Sequence, residues 1–210
     1  IQLNNEGSQG RFEVLAALTR LRQLSLDPAL VDERYEGVGS AKINLLCSHL
    51  EQIVPAGHQV LVFSQFVSFL ERIDTALKQR GISCLLLEGK TRKREEVIAK
   101  FRRGEESVFL ISLKAGGVGL TLTEADYVYI MDPWWNPSVE AQAINRAHRI
   151  GQDRAVNVYR LVAQDTIEEK VCQLQAHKQR LIDTVVDDVG DGGTQGMDID
   201  QLIELLGAGE

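Results

Sequence analysis

Val60-Leu-Val-Phe63 is an unbroken apolar run set between the polar stretches His58-Gln59 and Ser64-Gln65. A run this short, with no alternation, suits a strand buried on both faces. The pattern recurs at Val108–Ile111 and Tyr127–Met131. Ser83–Leu87 and Asn157–Val162 read as two further strands. Between these runs lie stretches with helical spacing. One spans about Phe66 to Arg80, ended by Gly81, and one about Arg92 to Phe101, ended near Gly104. A third runs from Pro137 to Ile150. Strands alternating with helices predict an α/β fold, a parallel sheet with helices on both faces.

Flanking helices extend this core. Val14, Leu15, Leu18, Leu21 and Leu24 recur at helical spacing from Phe12 to Leu26, and Asp27-Pro28 ends the helix. Residues 1–9 are polar, with Asn and Gly, and read as a loose end. Residues 31–39 read as a loop. Ser40 is placed to cap a helix carrying Ile43, Leu46 and Leu50 on one face. Beyond Thr166 a long helix is expected to about Val186. A Gly/Asp-rich linker near 188–197 and a short helix at 199–206 follow. Three parts are expected: a lead-in over 1–40, a main lobe over 41–165 and a helical extension over 166–210.

Composition narrows the classes. The hydrophobic share of 44% and charged share of 25% are those of a globular domain. No apolar run is long enough to span a bilayer, and no secretion signal is evident, so no membrane partner is expected. The first residue is Ile1, consistent with a piece of a longer protein. Cys47, Cys84 and Cys172 are far apart and form no C-x-x-C pair, which disfavours disulfides and zinc. The net charge of −7 argues against a wholly basic nucleic-acid binder. Local patches decide phosphate contact, however, and Lys90, Arg92, Lys93 and Arg94 cluster.

Four segments carry chemistry. Gly89-Lys-Thr91 resembles the end of a phosphate-binding P-loop, but the first glycine of that motif would fall at Cys84, so the P-loop reading fails. What remains is a basic turn before a helix, which reads equally as a phosphate cradle or as a solvated charged turn. Ser112-Leu-Lys-Ala-Gly-Gly-Val-Gly-Leu-Thr121 follows a strand, where open α/β sheets bind ligands. Ser112, Lys114 and its glycines suit phosphate better than a plain turn does. Asp132-Pro-Trp-Trp-Asn-Pro137 offers Asn136 as a helix cap with Pro137 at the first helical position. One of its tryptophans is expected in the core and the other nearer the surface.

The fourth segment is Gln142-Ala-Ile-Asn-Arg-Ala-His-Arg-Ile-Gly-Gln152. On a helix, Gln142, Asn145, Arg146 and Arg149 form one polar stripe, opposite Val139, Ala143, Ala147 and Ile150. Paired guanidiniums on a rigid element suit phosphate recognition. Taken alone, this helix reads better as a solvated amphipathic face.

In order, these segments resemble the second RecA-like lobe of Swi/Snf-type helicase-like ATPases. Val60 to Phe66 resembles motif IV, Leu87 to Arg94 the turn after the next strand, and Ser112 to Thr121 motif V. Asp132 to Pro137 resembles the D-x-x-W-N-P segment and Gln142 to Gln152 motif VI. Leu21-Arg-Gln23 with Pro28, and Ser40 with Lys42, resemble the lead-in, and Thr166 to Lys170 the helix after the lobe. The resemblance covers roughly residues 11–186. It implies that Arg146 and Arg149 are arginine fingers reaching ATP across a cleft, with Gln142 organising that face. Gly117 and Gly119 would lie near the nucleotide. Ser64, Gln65, Ser112, Lys114 and Trp135 would face DNA or couple the two sites, joined by Lys90, Arg92 and Arg94 on the DNA side.

ATP and magnesium would bind mainly to the N-terminal RecA-like lobe of the same protein. The partner would be double-stranded DNA, with a protein–DNA complex as the object remodelled. Walker A and D-E-x-H strings are absent from this sequence, so the chain by itself is expected to be inactive. Asn145 stands where an Asp is common, and Glu88 and Lys90 replace the usual Asp and Ser. The alternatives are the second lobe of a strand-separating RNA or DNA helicase, or a non-catalytic module of the same fold. The compact lobe points to a prokaryotic member, placed in the cytoplasm at the nucleoid; a eukaryotic member would be nuclear.

Overall fold

The computed structural model describes residues 3–113, 115, 121–145, 147 and 155–186. A five-stranded, wholly parallel sheet forms the centre, in the order β2-β3-β1-β4-β5. The strands are β1 (Val60–Ser64), β2 (Cys84–Leu87), β3 (Val108–Ser112), β4 (Tyr127–Ile130) and β5 (Asn157–Arg160). Every residue of β1 and β3 is buried. Their unbroken apolar runs therefore mark central strands, as expected for a sheet covered on both sides. β5 is exposed along its length and forms an edge of the sheet.

Alternate residues of the strands feed two cores. Val60, Val62, Val108, Leu110 and Tyr129 face α2 (Ala41–Ile53) and α3 (Val67–Gln79). Leu61, Phe63, Phe109, Ile111, Val128 and Ile130 face α4 (Arg94–Arg102) and α5 (Pro137–Ile144). The architecture is thus the expected α/β, RecA-like one, with flanking helices α1 (Leu3–Leu26) and α6 (Ile167–Val186). Ser40 caps α2 by accepting from the Ile43 amide at 3.2 Å. Gly81 and Gly104, with φ of 73° and 69°, supply the left-handed residue after α3 and α4. No described helix is long and apolar enough to cross a membrane.

α1 departs from the sequence expectation twice. It begins at Leu3, not near Phe12, so residues 3–9 are not a loose end. Asn4, Asn5, Gly7 and Gly10 disfavour helix, but extending an existing helix costs far less than nucleating one. The expected apolar stripe is also only partly used. Leu18 is buried, whereas Leu15, Leu21 and Leu24 are exposed. Leu18 joins Val14, Trp135, Ile167 and Leu174 in a small third cluster that ties α1 to α6. The linker and short helix expected beyond Val186 lie outside the described residues.

Candidate functional site

β1 and β4 are neighbours, yet α3, which follows β1, covers one face, and α5, which follows β4, covers the other. Their carboxyl ends therefore form a topological switch point, where open α/β sheets carry ligand crevices. This crevice is filled by the protein itself. Asp132, wholly buried, accepts from Ser64 Oγ and from Gln65 Nε2, each at 2.5 Å. Arg22 enters from α1. Its Nη1 donates to Gln65 Oε1 at 2.8 Å and its Nη2 to the Pro133 carbonyl at 2.6 Å, with Asp132 Oδ2 farther off at 3.5 Å. Burial raises the Asp132 pKa, opposed by Arg22, the Ser64 hydrogen bond and Lys42. Burial likewise lowers the Arg22 pKa, opposed first by Asp132.

The guanidinium of Arg22 also lies 4.8 Å from the Trp135 ring centre, 5.7 Å from Phe66 and 6.0 Å from Trp134. The expectation of one core and one surface tryptophan needs correcting. Both are half-buried and they serve different clusters: Trp134 packs on the α4–α5 side of the sheet, Trp135 on the α1–α6 contact. The Arg22 guanidinium stands over both rings, an attraction between a cation and the aromatic faces.

Three further buried ions, Lys42, Glu168 and Glu140, extend the network. Lys42 Nζ donates to the carbonyls of Met131 and Leu161 at 2.7 and 2.8 Å, and to Glu168 Oε2 at 2.5 Å. Glu140 of α5 accepts from the Trp134 amide and from Gln175 Nε2, each at 2.7 Å, and pairs with Arg160 at 2.6 Å. Helices α1, α2, α5 and α6 thus all send a buried polar side chain to the segment that follows β4. Arg22, Lys42, Glu140, Glu168 and Gln175 escaped the reading of the sequence as site residues. The available signal was a charge at a core-facing position: Arg22 lies four residues from both Leu18 and Leu26.

Around this centre the expected site residues are unequally placed. Asn136 caps α5, its Oδ1 accepting from the Ser138 amide at 3.0 Å. Ala143 and Ala147 are buried against the sheet and Gln142 is exposed. α5 spans Pro137–Ile144 with Asn145 its C-cap, and of the expected remainder to Ile150 only Asn145 and Ala147 are among the described residues. The polar stripe is therefore described at Gln142 and Asn145 alone. Arg146 and Arg149 lie outside the described residues, as do Lys114, Gly117 and Gly119.

Ser64 and Ser112 are buried, at 0% and 1% exposure, so neither hydroxyl is placed to touch a phosphate. Trp135 lies under Arg22, and Gln65 is spent on Arg22 and Asp132. Arg94 is half-buried and donates to the Ala115 carbonyl. Lys90 and Arg92 are exposed, at the carboxyl end of β2. Lys93 pairs with Glu96 at 3.0 Å. The first turn of α4 carries Glu95 and Glu96, so positive potential there comes from Lys90 and Arg92 rather than from the helix end. Among the described residues no cluster could hold a metal ion.

Comparison with known proteins gives a consistent result. The family model described as "Helicase conserved C-terminal domain" matches residues 41–151. DNA repair protein RAD5B of Arabidopsis thaliana is 48% identical over 148 residues, covering 68% of this chain and 12% of that protein. An uncharacterized ATP-dependent helicase of Mycoplasma pneumoniae is 39% identical over 184 residues, covering 85% of this chain and 18% of its own length. The chain thus spans less than a fifth of either curated relative. Among solved structures, the C-terminal part of the Fun30 ATPase domain superposes with a TM-score of 0.61 and 34% identity, covering 71% of this chain and 54% of that one. The Sulfolobus solfataricus SWI2/SNF2 ATPase C-terminal domain gives a TM-score of 0.68 and 26% identity, covering 93% and 81%.

Proposed function

The chain belongs to the helicase conserved C-terminal domain family, as the second RecA-like lobe of a Swi/Snf-type ATPase, and from that premise we propose that it is half of a DNA-stimulated motor. ATP and magnesium are held mainly by the first lobe. Arg146 and Arg149 reach across the cleft to the transferring phosphoryl group, where such arginines are worth roughly 10³–10⁵ in rate. Gln142 orients that face, and Gly117 and Gly119 approach the nucleotide. Lobe closure and opening move the protein along duplex DNA by its backbone, with Lys90, Arg92 and Lys114 on the phosphates. Residues 41–165 form the motor lobe, with 1–40 as its lead-in and 166–210 as its extension.

The observation that carries this reading is the seating of α5. Its Ala143, and Ala147 just beyond its end, are buried against the sheet, Asn136 caps its start, and Gln142 is exposed. A helix so seated presents the residues that follow it from a rigid base. Ser64, Gln65, Ser112, Trp135 and Arg94 belong on the coupling side of the machinery, since each is buried or engaged. The names of the relatives suggest DNA repair or chromatin remodelling as the setting, at the nucleoid or in the nucleus.

The test is DNA-stimulated ATP hydrolysis by the complete two-lobe protein, with and without Arg149→Ala. Hydrolysis lost while ATP and DNA still bind supports the cross-cleft assignment. Hydrolysis retained returns the stripe to a solvated face and removes the arginine assignment.

A further inference from the structure

The crevice between β1 and β4 holds a charged pair in place of a ligand. Replacing such a pair by well-packed apolar residues is often neutral or stabilising, so stability alone does not account for Arg22 and Asp132. What distinguishes the pair is what it joins. Arg22 is a residue of α1, the helix that leads into the lobe. Its contacts are the residues after β1 (Gln65 and Phe66) and the residues after β4 (Asp132, Pro133, Trp134 and Trp135). Those last residues run directly into Asn136, the cap of α5. A shift of α5 therefore reaches the Arg22 guanidinium within four residues of chain.

The same segment is tied to the exit helix. Gln175 of α6 donates to the Trp134 carbonyl and to Glu140 of α5. Trp135 packs on Leu18 of α1 and Ile167 of α6. The direct Arg22–Asp132 contact is long, at 3.5 Å, and Gln65 spans it with bonds of 2.8 and 2.5 Å to the two ions. The planar fork of an arginine can hold the Gln65 oxygen, the Pro133 carbonyl and an aromatic face together; an ammonium point charge cannot.

We propose that Arg22 is a positioning residue for the motor, clamping the segment after β4 so that α5 and the helices at the entrance and exit of the lobe move together. It rests on the reading of α5 as the helix that serves the nucleotide. Arg22 touches no substrate. It sets how much of each hydrolysis event becomes movement along DNA, not whether hydrolysis occurs.

The experiment uses the complete two-lobe protein as wild type, Arg22→Lys and Arg22→Gln. ATP hydrolysis is read with duplex DNA, and movement is read by displacement of a third strand from the same duplex. For the variants we expect hydrolysis within about threefold of wild type and base pairs moved per ATP lower by about tenfold. An unchanged ratio, whatever the melting temperature does, overturns the proposal, as does parallel loss of hydrolysis and movement. Wild-type protein without DNA-stimulated hydrolysis would sink the motor reading instead.

A second measurement needs no variant to fold. Hydrogen exchange in the wild-type protein is followed on adding a non-hydrolysable ATP analogue and duplex DNA. Protection of residues 18–26 should change together with that of residues 132–136. A change confined to 132–136, or none in either segment, overturns the coupling.

Discussion

Lys42 and Glu168 are each buried, and either ion alone would be costly in that place. Burial lowers the Lys42 pKa and raises that of Glu168, each opposed by the other's charge. Lys42→Met should therefore cost about 3–5 kcal/mol, because it strands a buried carboxylate. Adding Glu168→Gln should recover part of that loss. Urea unfolding of the two variants measures this; a single-mutant loss below about 1 kcal/mol would mean the pair contributes little. The thiols offer a pH test. Burial raises the pKa of Cys47, Cys84 and Cys172, with the Asp74 contact adding to the effect at Cys84. A raised folded pKa gives stability that is present below the unfolded value, near 8.5, and is lost as pH climbs toward the folded one. Unfolding free energy should thus fall between about pH 8 and pH 10. Replacing the three cysteines by alanine should flatten that fall. An equal slope in the variant would assign it to other groups.

At the scale of elements, the strands and most helices were legible because their signals are local. The apolar runs of β1 and β3, Ser40 before α2 and the glycines after α3 and α4 each act within a few residues. α1 was less legible. Its apolar positions recur at helical spacing, yet which of them is buried depends on where α6 and Trp135 lie, and those are far along the chain. α5 makes a sharp prediction. Ala143 is 1% exposed and packed in the core between α5 and the sheet. Ala143→Leu should destabilise the fold by about 1–3 kcal/mol. It should also lower DNA-stimulated hydrolysis by the complete protein without weakening DNA binding. Normal hydrolysis in a folded Ala143→Leu protein would mean the seating of α5 is not what positions the site.

The whole molecule carries a net charge of −7, so attraction for a phosphate has to come from local groups of basic residues. Lys90 and Arg92 are exposed at one edge of the sheet, whereas Arg22, Lys42 and Arg94 are turned inward. Lys90→Ala and Arg92→Ala in the complete protein should weaken duplex binding equally on unrelated sequences. Each should reduce the slope of log affinity against log salt by about 1. A sequence-dependent effect, or an unchanged slope, would remove this turn from the DNA surface.

The sequence alone was enough for the fold class and for the order of strands and helices along the chain. These follow from periodicity, caps and motifs, whose causes lie a few residues apart. The folded chain was needed to see that Ser64 and Ser112 are buried, that both tryptophans pack, and that Arg22 fills the crevice between β1 and β4. Arg22 and Asp132 are 110 positions apart, and Lys42 and Glu168 are 126 apart. No pattern along a chain specifies which buried charge will meet which. That pairing is set by the order in which the strands lie side by side, and the low-polarity interior then makes it obligatory.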